Sequence, residues 1–506
     1  MSDLEEIEAS VSHQRAAPKK EFDSWSAIAL GAITTNSAIG ILLTFANTVT
    51  YGGSPLLLYG YPVISIISLG AATSLGELTS AYPDAGGQYI WVARLAPRKI
   101  YRFFSYITAI FSWAGAVCTG ASVCLVGAEL ILDLVEFFNP HFHIEPWMVF
   151  LGYQAINIFT LIPSFYGKLL GKVTKGLMGF TALLLIGLLV TLFAAAKNRR
   201  PAHDFFTVFH NVSGWSDGMA VLVGANSLQW CYCCLDSMVH IADEIPNPRR
   251  NIPRALVWSI IIGFVSGMIC MCAYMSATDD YNTGYYSLTI TFQVLEQNQG
   301  AAIVIQVLVF FSCIGALWGI HVWQSRLAWT IGYNHGFPFG KYLEQIAGPP
   351  YGTPIYALIF SSFSIALLGC LYLGSSTAFN SMVSACLLFQ WLSYSIPVVF
   401  LHIHGRSKIP HGEFWFPKLG YVANALLVLW TSISLVIYCF PYTLPVEAGN
   451  MNYVSPVLGG VTFLSALCWI LYGRKHFRIP EVDGFVETID AVTPGVETKQ
   501  ESHFKK

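Results

Sequence analysis

Two short stretches put polar groups where the surrounding sequence is apolar. One reads Thr34-Thr35-Asn36-Ser37-Ala38-Ile39-Gly40; the other runs from Asn226 through Trp230, Cys231, Tyr232, Cys233 and Cys234 to Asp236. If each interrupts a membrane helix, it frees backbone N–H and C=O groups that must face protein, water or a ligand. Half-helix ends then offer partial charges to that ligand. The alternative is a continuous helix that uses small polar residues for packing. The side chains beside the second stretch suit an amine. Trp230 and Tyr232 offer aromatic faces, which a quaternary ammonium needs because it has no N–H to donate. Asp236 is a candidate counter-charge or proton carrier, since a carboxylate inside a span is costly unless paired, hydrated or protonated; it could instead cap a helix end. A substrate carboxylate would seek the N–H groups of a half-helix N-terminus. Tyr106, Phe111, Trp113 and Trp318 are further aromatic candidates, and packing or interface anchoring explains each equally well. His240 and His321 could titrate near neutral pH or be hydrogen-bonded packing residues.

Other chemistries lack their residues. There is no G-x-S-x-G elbow, no H-E-x-x-H metal motif and no Walker spacing around Lys168 and Lys172. The run Cys231, Cys233, Cys234 has no second ligand pair, so packing thiols are expected rather than a metal site. No cofactor and no enzyme activity are expected. Of 506 residues 54% are hydrophobic and only 11% charged, against about 25% charged in soluble domains. Such a chain cannot cover a soluble surface. Its net charge of −2 gives no basic face for nucleic acid.

The elements that must position these residues are membrane spans. A helix needs about 20 apolar residues to cross, and twelve stretches qualify: 26–50, 55–81, 103–137, 146–164, 169–195, 218–241, 255–277, 301–331, 354–373, 378–402, 416–440 and 453–472. The third and eighth are long for one span, so tilt or extension is expected. With the N-terminus inside, the outer segments hold only Lys197, Arg199 and Arg200 of the 27 basic residues, so both termini are expected in the cytoplasm. The two breaks fall in spans one and six, five spans apart, as inverted five-helix repeats require. The expected division is a tail 1–24, a transporter domain 25–475 (repeat one 25–195, repeat two 217–403, extra helices 416–473) and a tail 476–506. Asn211-Val212-Ser213 is a glycosylation sequon in the longest outer loop. Glu129 and Asp133 fall near the outer end of span three and need be no more than solvated.

Two patterned loops follow spans on the inner side: Glu77-Leu78-Thr79-Ser80-Ala81-Tyr82-Pro83-Asp84-Ala85-Gly86-Gly87-Gln88-Tyr89, and Glu244-Ile245-Pro246-Asn247-Pro248-Arg249-Arg250-Asn251-Ile252-Pro253-Arg254-Ala255. Glu77 and Glu244 could gate through salt bridges or be solvated helix-end carboxylates. These strings resemble those of the amino acid–polyamine–organocation permeases. Asn36-Ser37, Tyr51-Gly52-Gly53-Ser54-Pro55, Cys234-Leu235-Asp236, His321 to Trp329, Gly374 to Asn380 and Asn450 to Val454 narrow the resemblance to the fungal amino acid/choline permease branch, over residues 20 to 475.

The resemblance implies an all-α, leucine-transporter-like fold: two inverted five-helix repeats plus two helices. It implies that Asn36, Ser37, Ile39 and Gly40 unwind in span one, and Tyr232, Cys233 and Cys234 in span six. Many relatives carry glycine where Cys234 stands. Some bacterial relatives place a proton-shuttling lysine midway along span five, where this chain has Thr181. The expected activity is import of a small cationic or zwitterionic amine, choline first, driven by protons or membrane potential across the plasma membrane. An amino acid such as 4-aminobutyrate, or a specialised metabolite, is the alternative substrate. A transporter-like nutrient sensor is the alternative class. The expected partners are the substrate, a coupling proton and membrane lipid.

Overall fold

A computed structural model describes residues 20–139, 141–196, 201–277, 286–480 and 482–483. Most of both tails, and the basic residues Lys197, Arg199 and Arg200, lie outside the described residues. The described residues contain no strand. Ten of their helical stretches are long and apolar enough to cross a membrane. Outward-facing side chains such as Phe159, Leu183, Ile186, Leu429, Phe463 and Leu471 are exposed, as a hydrocarbon solvent permits and water does not. The chain is a multi-pass membrane protein.

The first stretch runs 58 residues from Ser24 to Ala81, longer than a bilayer allows one straight helix. Three irregularities divide it. Helix α1 (Ser24–Thr35) begins at Asp23, whose carboxylate accepts from the Ser26 amide in a capping box. Burial alone would raise that carboxyl, but the Ser26 amide and Lys175, at 2.9 Å, outweigh it and hold it below the usual carboxylate range. Asn36 then takes the left-handed conformation (φ 41°, ψ 44°) and ends α1. Helix α2 (Ser37–Pro55) contains Gly53 at φ 61°, ψ −147°, a backbone angle that favours glycine. A π-helical turn over Leu56–Gly60 leads into α3 (Tyr61–Ala81).

After the short α4 (Gln88–Leu95) comes α5 (Tyr101–Phe138), 38 residues and about 57 Å long. Helices α6 (Pro146–Ser164) and α7 (Leu170–Ala195) follow. Helix α8 (Asp217–Trp230) stops after 14 residues, and residues 231–238 are non-helical turns before a 3-10 segment, Val239–Glu244. Then come α9 (Pro248–Ala277), the 35-residue α10 (Gln299–Tyr333), α11 (Ile355–Gly374), α12 (Ser376–His404), α13 (Leu419–Ile437) and α14 (Val454–Cys468).

The core lies around the two breaks. Helix α9 packs along α1, α2 and α3, and α5 packs against α10 and α12. Glycines allow the closest approaches. A Cβ on Gly263 of α9 would overlap the Ser37 hydroxyl and sit 3.2 Å from the Tyr232 ring; one on Gly267, a turn later, would overlap the Tyr61 hydroxyl. Small residues four apart let helix backbones come together in a membrane core.

Candidate functional site

The two breaks meet and satisfy each other. The Ser37 hydroxyl donates to the Cys231 carbonyl at 2.8 Å, and the Thr34 and Ser237 hydroxyls are 2.8 Å apart. Asn36 Nδ2 donates to Ser312 Oγ of α10 at 3.1 Å, and Ser312 also bonds Thr181 of α7 at 3.0 Å. On the other side, the Cys234 amide donates to Gln390 Oε1 of α12 at 2.9 Å, and Gln390 Nε2 donates to Thr119 Oγ1 of α5 at 2.7 Å. Backbone groups freed by unwinding thus find side-chain partners on neighbouring helices. Cys234 holds φ 62°. A side chain is strained at that angle and glycine is not, so Cys234 holds a conformation that favours glycine.

Between the breaks lies a small cavity. Thr34, Thr35, Asn36, Ile39, Gly40 and Leu43 line it from the first break, Trp230 and Cys233 from the second, Thr119, Val123 and Val126 from α5, and Cys313 and Ala316 from α10. Its volume is about 20 Å³, room for one water in this conformation. No Asp, Glu, Lys or Arg lines it. The C-terminal ends of α1 and α8 both reach it, and such ends carry partial negative charge. The N-terminus of α2, with no side-chain cap, supplies the opposite sign. Gly40 lets the two breaks approach closely, since an added Cβ would stand 3.3 Å from Cys231 Sγ.

Seven residues of the two stretches singled out from sequence therefore line the cavity: Thr34, Thr35, Asn36, Ile39, Gly40, Trp230 and Cys233. The others stand elsewhere. Ser37 and Cys234 hold the breaks in shape. The Tyr232 ring stacks on Tyr61 at 5.4 Å, and its hydroxyl is 2.6 Å from Ser65, turned toward α3. Phe111 packs on Phe389, and Trp113 stacks on Phe360 at 5.1 Å. Both lie about two helical turns before Thr119, so aromatic character misjudged depth. Trp318 is buried just beyond Ala316, with no partner for its indole N–H. His321 is buried, with Nε2 3.1 Å from Thr160 Oγ1 of α6. Asn211 is folded into its own turn: Nδ2 donates to the Trp215 carbonyl and Asp217, while Oδ1 accepts from Ser213.

Asp236 is fully buried and caps no helix. Its Oδ1 accepts from Tyr394 at 2.7 Å; its Oδ2 accepts from Gln88 Nε2 at 2.7 Å and faces His240 Nε2 at 3.1 Å. Glu77 and Glu244 are not solvated either. Glu77 makes two 2.6 Å bonds to Arg406 and accepts from the Phe416 amide. Glu244 makes bonds of 2.7 and 3.2 Å to Arg326. The sequence reading missed Thr119, Ser312, Gln390 and Tyr394. Their only sequence-level mark is a polar side chain at a mid-span position.

The amino acid permease profile matches residues 23–463. The chain is 42% identical to a swainsonine transporter of Arthroderma benhamiae over 464 residues, 92% of this chain and 93% of that protein. It is 36% identical to a choline transporter of Saccharomyces cerevisiae, over 92% of this chain and 83% of that one. It is 27% identical to a 7-keto 8-aminopelargonic acid transporter of the same yeast, over 87% and 90%. With an all-helical membrane body and a profile match across nearly its whole described length, the chain belongs to the amino acid permease family and is a membrane transporter.

Proposed function

We propose that this transporter imports a small hydroxylated amine by alternating access, with the cavity between the breaks at Asn36 and Trp230–Cys234 as its substrate site. The observation that carries this is the electrostatics of the cavity. Two helix C-termini and the Trp230 ring face it, without a lining carboxylate. An indole face and carbonyl ends together suit a cationic nitrogen. The uncapped N-terminus of α2 leaves room for a zwitterion such as 4-aminobutyrate as the alternative. Choline and swainsonine, named for two relatives, both combine a basic or permanently charged nitrogen with hydroxyl groups. In this reading the chain has twelve spans, with spans one to five and six to ten as inverted repeats, two further helices, and both termini in the cytoplasm of a plasma-membrane protein. Counting the 24–81 stretch as two spans and the broken 217–244 stretch as one supports that number. Opening requires Ser37 and Thr34 to release their partners across the breaks and Asn36 to release Ser312 of α10, and a coupling proton supplies the driving force.

The test is uptake of labelled choline by cells lacking choline transport, with swainsonine and 4-aminobutyrate as competitors. Saturable uptake, inhibited more strongly by swainsonine than by 4-aminobutyrate, is the expected result. Surface-expressed protein that takes up none of the three would overturn the substrate class.

A further inference from the structure

The arrangement of donors and acceptors around His240 fixes where its protons are. Its Nδ1 lies 2.7 Å from the Ala85 carbonyl, which can only accept, so Nδ1 carries a hydrogen. Its Nε2 lies 3.1 Å from Asp236 Oδ2. A neutral imidazole would turn a lone pair toward an ionised carboxylate there, and the two would repel. The contact therefore contains one further proton, on the carboxylic acid or on the imidazolium. Both side chains are fully buried, so this proton has no solvent to exchange with in this conformation.

The pair is wired in two directions. Asp236 lies two residues beyond Cys234, whose amide is fixed by Gln390. Tyr394 donates to Asp236 at 2.7 Å and stands 3.3 Å from Gln390 Oε1. Its single hydroxyl proton can serve one acceptor strongly, so the charge on Asp236 decides whether Tyr394 turns to it or to Gln390. Gln390 in turn holds Thr119 of the cavity wall. In the other direction, Gln88 and Ala85 tie the pair to the Tyr82–Gln88 turn. There Gly87 sits at φ 55°, and a Cβ on it would stand 3.3 Å from the His240 ring. Further neighbours include the Trp323 ring of α10, 6.4 Å from the imidazole, and the Cys234 thiol of the same segment. The next full charges along the chain are Asp243 and Glu244, and Glu244 is paired with Arg326.

We propose that Asp236 and His240 together hold the one proton that moves with the substrate, and that its loss separates His240, with the Ala85 end of the Tyr82–Gln88 turn, from Asp236 in the second break. The step breaks no covalent bond. The proton leaves the Oδ2–Nε2 contact, the ionised carboxylate keeps Gln88 and Tyr394 and repels the lone pair of the neutral imidazole, and His240, still bonded to Ala85, moves away from Asp236. This rests on the transport reading above and names its coupling site. Buried carboxylate–histidine groups in spans are suited to such relays.

Wild-type protein reconstituted in vesicles is tested with labelled choline under an acid-outside gradient and at equal pH. The expected result is at least fivefold accumulation with the gradient, with one proton per choline reported by a pH indicator. His240→Gln keeps a donor toward Asp236 but no titratable proton. It should lose gradient-driven accumulation about tenfold, and whatever choline exchange it retains should be insensitive to pH. His240→Asn, which keeps the donor toward Ala85 instead, should behave the same way. Gradient-driven accumulation surviving in either variant would overturn the pair and leave the transport reading intact. So would wild-type choline flux without proton movement, a measurement that depends on no variant. Wild-type vesicles that exchange no choline, swainsonine or 4-aminobutyrate would overturn the transport reading itself.

Discussion

In the proposed site, Trp230 is the residue expected to set substrate affinity. It is the last residue of α8, it lines the cavity, and it is the sole aromatic ring among the lining side chains. A desolvated cation over an indole gains about 2 kcal/mol, roughly a 25-fold change in affinity at about 1.4 kcal/mol per decade. Trp230→Ala should therefore raise the half-saturating choline concentration about tenfold or more at equal surface amount, as measured by concentration-dependent uptake. Unchanged affinity would remove the ring from the site. Trp230 was legible in the sequence because an aromatic side chain stood beside a polar interruption. Tyr232, two residues on, carried the same mark and faces away, toward Tyr61 and Ser65. Once the chain leaves helical geometry at Cys231, neighbours in sequence no longer share a face predictably. Thr119 and Gln390 carried only the mark of a polar side chain in mid-span, because their meaning comes from partners 271 and 156 residues distant.

Among the elements, the broken helices depend on α9 as a backstop. Ser37 and Tyr232, one from each break, both press on Gly263, and Tyr61 presses on Gly267. Gly263→Val puts atoms where the Ser37 hydroxyl now lies. Overpacking of this kind costs about 1–3 kcal/mol, and it pushes Ser37 away from the Cys231 carbonyl. A thermal midpoint lowered by a few degrees, together with a transport loss larger than the fall in folded protein, is the expected pair of readings. A fall in folded protein alone would make α9 only a packing surface. The positions of both breaks were readable, since polar runs in apolar spans are conspicuous. The role of α9 was not, because a glycine in a span looks the same whether it faces lipid or a hydroxyl.

Two buried ion pairs join distant parts of the whole molecule. Glu77 at the end of α3 meets Arg406 just after α12, and Glu244 after the second break meets Arg326 within α10. Arg406 also lies 4.1 Å over the Trp415 ring. Removing one partner leaves a buried charge uncompensated, a loss of about 3–5 kcal/mol, whereas an apolar pair of similar volume is often neutral. Arg406→Ala should therefore sharply reduce the yield of monodisperse protein in size-exclusion chromatography. Glu77→Gln combined with Arg406→Met should recover most of it. No recovery in the double variant would mean that Arg406 acts through its ring contacts instead. The sequence marked Glu77 and Glu244 as candidates for pairing, yet it could not name their partners, which lie 329 and 82 residues away.

That separation of 329 residues has a meaning in time as well as space. At roughly 10 residues per second, a translating ribosome needs about half a minute to travel from Glu77 to Arg406. Throughout that interval the first half of the protein is in existence with its acidic side chain uncovered. Arg406 then arrives as a closing clasp, and a nascent chain that terminates before it leaves a lasting sign of incompleteness for cellular surveillance to find.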